Sequence, residues 1–275
     1  MTQKGTLDLD TADSFTHSFA RLHWHWRLQR WKRTLSPYVS DPRLPYSPVC
    51  ISRLIIGVNL LWFAWMILRA LIAGLGPRVI LNPPTGLLMY FGAQRWNPEV
   101  LIFHQWWRCL TYAYSHGGLI HLGFNMVVLY QIGPLIEDQI GSARFFTLYT
   151  LTALTATLLG LWWHPAVPVV GASGSLFGLI GFAVTYFHRL GNHAHGVRNF
   201  MFQWAAIAFI FGLLMGADNA GHLGGALGGA AFGLLLPLGM RGHKATTHLF
   251  GTLAIVAAVV TAGSLLLQIV FPYPM

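Results

Sequence analysis

Apolar residues in this chain come in long runs separated by short polar or glycine-rich connections. Seven runs are long enough, or nearly so, to cross a bilayer. They fall at about Leu54–Leu75, Gly118–Leu135, Phe145–Trp163, Val169–Phe187, Phe200–Met215, Ala220–Gly239 and Leu249–Phe271, against about 20 residues for a typical spanning helix. The fifth is short and the sixth is rich in glycine, so both imply packing inside a bundle. The last is uniformly apolar and reads as lipid-facing. The pattern predicts an all-α polytopic membrane protein. An N-terminal arm covers 1–50, a six-helix core 51–240, and a seventh transmembrane helix with a short outer tail 241–275.

Composition agrees. The chain has 275 residues, 55% of them hydrophobic and 9% charged, where a soluble domain carries about 25% charged residues. Two cysteines, Cys50 and Cys109, are too few for a disulfide framework. There is no zinc-finger spacing, no HExxH and no Walker loop, so neither a metal nor a cofactor is expected.

The formal charge of +9 tempts a nucleic-acid reading, but topology explains it better. With the N-terminus in the cytoplasm, Lys4, Arg21, Arg27, Arg30, Lys32, Arg33, Arg43, Arg53, Arg144, Arg189, Arg198, Arg241 and Lys244 all fall inside. Arg78, Arg95 and Arg108 fall outside, and Arg69 lies within the first span. This is the positive-inside pattern, and it needs no nucleic-acid partner. Within the arm, Phe19–Trp31 could lie on the membrane surface as a basic aromatic helix, or form part of a disordered basic tail. The first apolar run begins too late, and lacks the small-residue cleavage pattern, for a signal peptide.

The connection at 76–117 is too long for a turn. It carries Pro83-Pro84, Tyr90-Phe91, Trp96 and Trp106-Trp107-Arg108. Aromatics with an occasional arginine suit the headgroup layer, so the loop is expected partly in the outer leaflet.

Candidate chemistry lies in the polar residues of the spans, where ionisable groups are costly and usually functional. The fourth run opens on Gly171-Ala172-Ser173-Gly174-Ser175-Leu176-Phe177-Gly178. At about 100° per residue, Gly174, Gly178 and Gly181 share a stripe next to the line of Ser173, which lets another helix approach closely. The sixth run has His222, Gly225, Ala226 and Gly229 on one face. If the two stripes pack together, Ser173 and His222 meet. His121 and Asn125 are four apart on one face of the second run. By the topology above, all four residues lie in the outer half of the bilayer, with Ser173 about 6 Å below its surface at 1.5 Å per residue.

A serine with a nearby base is the arrangement of acyl transfer. His222 could be the base. The Ser173 backbone N–H, His121 and Asn125 could bind an oxyanion. Asp218 precedes His222 by four residues and reads as a helix cap.

The set Trp107-Arg108, His116, His121-xxx-Asn125, Gly171-Ala172-Ser173-Gly174 and His222-xx-Gly225-xxx-Gly229 resembles the rhomboid family of intramembrane serine proteases, over roughly residues 54–240. The resemblance implies a six-helix core, here with one further C-terminal span. It implies a Ser173–His222 dyad without an acid, an oxyanion site of the Ser173 N–H, His121 and Asn125, and structural roles for the Trp107-Arg108 loop and Glu137. Two positions depart from the family: Gly221 stands where Ala is common, and Phe177 where some members stack a Tyr on the histidine. Gly221 leaves the start of that helix open.

The implied function is an intramembrane serine endopeptidase. It would cleave transmembrane helices of substrate proteins near the outer face of a bacterial cytoplasmic membrane. The alternative is an inactive relative that binds transmembrane clients. Such relatives typically lack the serine or the histidine, and this chain has both. A transporter would need a polar path through both leaflets. The inner halves of the second, fourth and sixth runs, such as Met126-Val127-Val128-Leu129, are apolar.

Overall fold

The computed structural model describes residues 51–273, so the arm at 1–50, with the Phe19–Trp31 segment, lies outside the described residues. Seven long helices follow one another: α1 Ile51–Ile72, α2 Leu119–Ile140, α3 Ser142–Trp163, α4 Ser173–Arg189, α5 His195–Met215, α6 Asn219–Leu235 and α7 Gly239–Val270. Among the described residues there is no strand, only one isolated bridge between Gln94 and Val169. The protein is an all-α polytopic membrane protein with a six-helix core and one further C-terminal helix.

Five of the helices are long and apolar enough to cross a membrane by length and composition: α1, α2, α3, α5 over His195–Leu214, and α7 over Arg241–Val270. The remaining two, α4 and α6, have 17 residues each. At 1.5 Å per residue each is about 25 Å long. Helix α6 begins at Asn219, one residue before its apolar run, whereas α4 begins later than its run suggests. Val169 is paired with Gln94, and Gly171 holds φ +119, a left-handed region that favours glycine. The fourth helix therefore begins at Ser173 itself, not a few residues above it. The seventh begins at Gly239, ten residues before the apolar run.

Helix α4 is the centre of the bundle, with Leu179, Phe182, Ala183, Tyr186 and Phe187 buried. It packs most closely on α6 and also on α3, α5 and α2. The α4–α6 approach depends on glycine. A Cβ at Gly225 would overlap the Gly174 carbonyl oxygen, one at Gly229 the Gly178 oxygen, and one at Gly181 the Ala226 oxygen. Lipid supplies no hydrophobic drive between helices, so such close backbone packing holds them together. The glycines of α4 serve a second neighbour too. A Cβ at Gly174 would come within 2.6 Å of the Ala156 Cβ, and one at Gly178 would overlap Thr152, both on α3.

Glu137, near the end of α2, ties three helices. Its carboxylate accepts from the Ile51 N–H at 2.7 Å and the Ser52 N–H at 2.9 Å, and from the Ser142 hydroxyl at 2.6 Å. It thus satisfies two of the orphan donors at the start of α1.

The outer helices present Leu61, Leu214, Leu235 and Val259. In a bilayer such faces meet lipid at no cost. The seventh helix is not uniformly lipid-facing: Thr261, Ser264 and Gln268 on it are buried.

Candidate active site

The site forms where α2, α4 and α6 begin. Ser173 is the first residue of α4, so its N–H has no intrahelical acceptor. The two preceding N–H groups are already used. Gly171 donates to the Tyr112 carbonyl at 2.9 Å, and Ala172 to His116 Nε2 at 3.5 Å. These contacts fix the turn that delivers Ser173.

His222 lies in the first turn of α6. Asp218 is the N-cap, its carboxylate accepting from the Gly221 N–H at 2.8 Å. The capping reading of Asp218 holds, and Gly221 takes its place within it: a Cβ there would overlap Asp218 Oδ2. Asp218 also pairs with His164 Nε2 at 2.6 Å, a partner that nothing in the sequence spacing signalled. Phe177, one turn below Ser173, stacks on the His222 ring with centroids 4.2 Å apart and planes 21° apart.

Both ring nitrogens of His222 are buried without a hydrogen-bond partner. Ser173 and His222 line the same cavity, of about 470 Å³, but are not hydrogen-bonded to each other. A serine–base contact of this kind is often long in the absence of substrate and tightens in the complex.

His121 and Asn125 line the same cavity. His121 Nδ1 accepts from the Gly117 N–H at 3.3 Å. In the neutral ring this leaves Nε2 as the donor. That nitrogen points at Gly171, where a Cβ would lie 2.7 Å from it and 3.8 Å from Asn125 Nδ2. One Asn125 amide hydrogen goes to the His121 carbonyl at 3.0 Å. The other is left for the cavity. Two side-chain donors therefore flank the turn that carries Ser173. On one flank, between α2 and α5, Phe124 and Phe211 stack with centroids 3.8 Å apart.

His116 is fully buried. Burial, with the neighbouring His121 adding to it, holds its pKa well below that of an ordinary imidazole. It stays neutral and can accept from Ala172. Trp107 and Arg108 stand further off, in the loop. The Arg108 guanidinium donates to the Met89 carbonyl at 2.8 Å and the Ala93 carbonyl at 2.9 Å. Burial pulls its pKa down to about 10, so it remains charged at neutral pH. No cluster of three or more metal-ligating side chains occurs among the described residues.

A bundle of membrane helices, with a serine and a histidine at the starts of two glycine-packed helices, defines the class. Residues 103–239 match the family model described as Rhomboid domain. The chain is 35% identical over 159 residues to the Rhomboid protease GluP of Bacillus subtilis, covering 56% of this chain and 30% of that protein. It is 34% identical over 161 residues to the RHOMBOID-like protein 2 of Arabidopsis thaliana, covering 57% and 50%. The Inactive RHOMBOID-like protein 8 of Arabidopsis thaliana is 28% identical over 149 residues, covering 53% and 42%. The chain belongs to the rhomboid family. It spans between about a third and half of the length of these curated relatives.

Proposed function

We propose that the protein is an intramembrane serine endopeptidase that cuts transmembrane segments of other proteins through a Ser173–His222 dyad. The observation that carries this reading is the shared cavity: Ser173, His222, His121 and Asn125 line it together. In the reaction, Ser173 Oγ attacks the scissile carbonyl carbon and His222 takes the hydroxyl proton. The oxyanion receives hydrogen bonds from the Ser173 N–H, His121 Nε2 and Asn125 Nδ2. The amine leaves with the proton from His222, and water, activated by the same imidazole, hydrolyses the acyl-serine. Each oxyanion donor is worth about 10²–10³ in rate.

The substrate bond must be in extended backbone, because a helix hides its carbonyls in hydrogen bonds. Substrates are therefore helices with small or helix-weakening residues near one end, where Gly or Pro costs about 1–3 kcal/mol of helix stability. The basic residues put the N-terminus in the cytoplasm, so the site opens to the outer side, with the 76–117 loop partly in the outer leaflet. A bacterial cytoplasmic membrane is the location that we propose.

The test is a reporter substrate with its cleavable segment at the outer end, compared with one whose segment is moved about 11 Å inward, two turns at 5.4 Å each. Mass spectrometry locates the cut. Cleavage of the first alone supports the reading, and efficient cleavage at the inner end overturns the orientation.

A second reading is a binding protein for transmembrane clients without catalysis. One relative is named inactive, and the two nitrogens of His222 stand unpartnered. Client capture with no cleavage by the wild type would favour it.

A further inference from the structure

The stretch that enters Ser173 has no fold of its own. It is laid against the 76–117 loop at four points. The Asn97 N–H donates to the Pro165 carbonyl at 2.8 Å. Gln94 and Val169 exchange both backbone hydrogen bonds, at 3.0 and 2.8 Å. Gly171 and Ala172 donate to Tyr112 and His116. The position of Ser173 is therefore inherited from the loop.

The loop is itself held by its carbonyls. Five in succession, Met89 to Ala93, each accept from a side chain. Arg108 takes Met89 and Ala93, and Thr111 takes Gly92 at 2.9 Å. Trp62 from α1, at 3.2 Å, and Ser115 take Phe91. Tyr90 is taken by Gln268, at 2.9 Å, from the C-terminal helix α7. The other end of the same amide accepts from Trp107 Nε1 at 2.9 Å. Gln268 is only 2% exposed. A buried amide in an apolar helix is costly unless both ends are satisfied, and here both are, by two separate parts of one loop. Trp107 also meets Phe271, with ring centroids 6.3 Å apart.

We infer that Gln268 is a positioning residue. Through it the seventh helix clamps the 76–117 loop at Tyr90 and Trp107. The loop then sets, through the Gln94–Val169 bridge, the turn that delivers Ser173. The seventh helix is thus a working part of the site although none of its described residues lines the catalytic cavity. This inference rests on the proposed serine chemistry only for its effect on rate. The clamp itself can be read without it.

The experiment therefore has two readouts on the full-length protein in detergent. The first is amide hydrogen exchange at Gln94, Asn97 and Val169. The second is the rate at which a fluorophosphonate phosphonylates Ser173, the O–P bond forming as fluoride leaves. Gln268→Met keeps the length of the side chain and removes both hydrogen bonds. It should speed exchange at all three amides and slow phosphonylation by about ten-fold, since small misplacements near the reacting atoms are felt steeply. Trp107→Phe removes one of the two bonds and should move both readouts the same way by less. Because the pair act through one contact, the double variant should be no worse than Gln268→Met alone. Val259→Ala, on the exposed face of α7, should change neither readout.

Unchanged exchange at Gln94 and Val169 in folded Gln268→Met overturns the clamp. Faster exchange with an unchanged phosphonylation rate keeps the clamp and overturns its link to Ser173. A wild type that is never phosphonylated counts against the proposed chemistry, and exchange then decides the clamp alone. Should Gln268→Met fail to fold, exchange in Trp107→Phe decides the question in the same way.

Discussion

The Phe177 ring stacks on the His222 imidazole, with centroids 4.2 Å apart and planes 21° apart. Phe177 is four residues after Ser173, on the same face of α4. The helix that carries the serine thus also orients the ring of its proposed base. A hydrocarbon ring does this by contact alone, leaving both imidazole nitrogens free for proton transfer. Phe177→Leu should keep the fold and lower the cleavage rate of a transmembrane substrate by about 10-fold or more, since a misplacement near 1 Å can cost about 10². Phe177→Tyr should retain most of the rate. The check is cleavage kinetics alongside a thermal unfolding midpoint. Equal activity in Phe177→Leu would show that the stack does not position His222.

Gly225 lies against the Gly174 carbonyl, where a Cβ would overlap it. Gly225→Val should push α6 away from α4 and lengthen the path from Ser173 to His222. Activity and thermal stability should fall together, activity by about 10² or more. Unaltered cleavage in this variant contradicts the close packing of the two helices.

Asp218 caps α6 and pairs with His164. Asn caps about as well as Asp, so Asp218→Asn should keep most of the activity. Asp218→Ala should lose about 1 kcal/mol of stability. If Asp218→Asn were folded and as inactive as Ser173→Ala, a third catalytic member would have to be admitted.

These roles were unequally legible in the sequence. Ser173, His222, His121 and Asn125 could be found because polar residues stand out in apolar runs, and helical spacing assigns them to faces. The glycines were legible for the same reason, though no spacing signals that Gly174 and Gly178 also receive α3. What periodicity cannot show is backbone pairing between distant segments. The Gln94–Val169 bridge, the His164–Asp218 pair and the Gln268–Trp107 bond join residues far apart in sequence. Each lies in, or reaches into, a stretch without helical period. The late start of α4 has the same origin: Val169 is apolar enough to extend the helix, but its hydrogen bonds go to Gln94. In α7 a single buried Gln268 does not lower the average of an apolar run, so that helix read as a plain membrane span.

His116 gives a prediction in pH. Its folded pKa is held well below the ordinary value by burial, while an unfolded histidine titrates near about 6.5. Below that pH the unfolded chain takes up a proton that the folded one refuses, so stability falls as pH falls. The contribution is fully present above about 6.5. His116→Gln, which can still accept from Ala172 through its carbonyl oxygen, should flatten the loss between neutral and mildly acid pH. Thermal unfolding midpoints across that range check it, and an identical slope in the variant contradicts it.

In the proposed reaction Ser173 is a nucleophile activated by His222. The most direct measurement is labelling of the purified protein with a fluorophosphonate, with the adduct located by mass spectrometry. One adduct is expected, on Ser173, in the wild type, none in Ser173→Ala, and labelling slowed by at least about 10³ in His222→Ala. A wild type that stays unlabelled while folded, or labelling that is undiminished in His222→Ala, contradicts it.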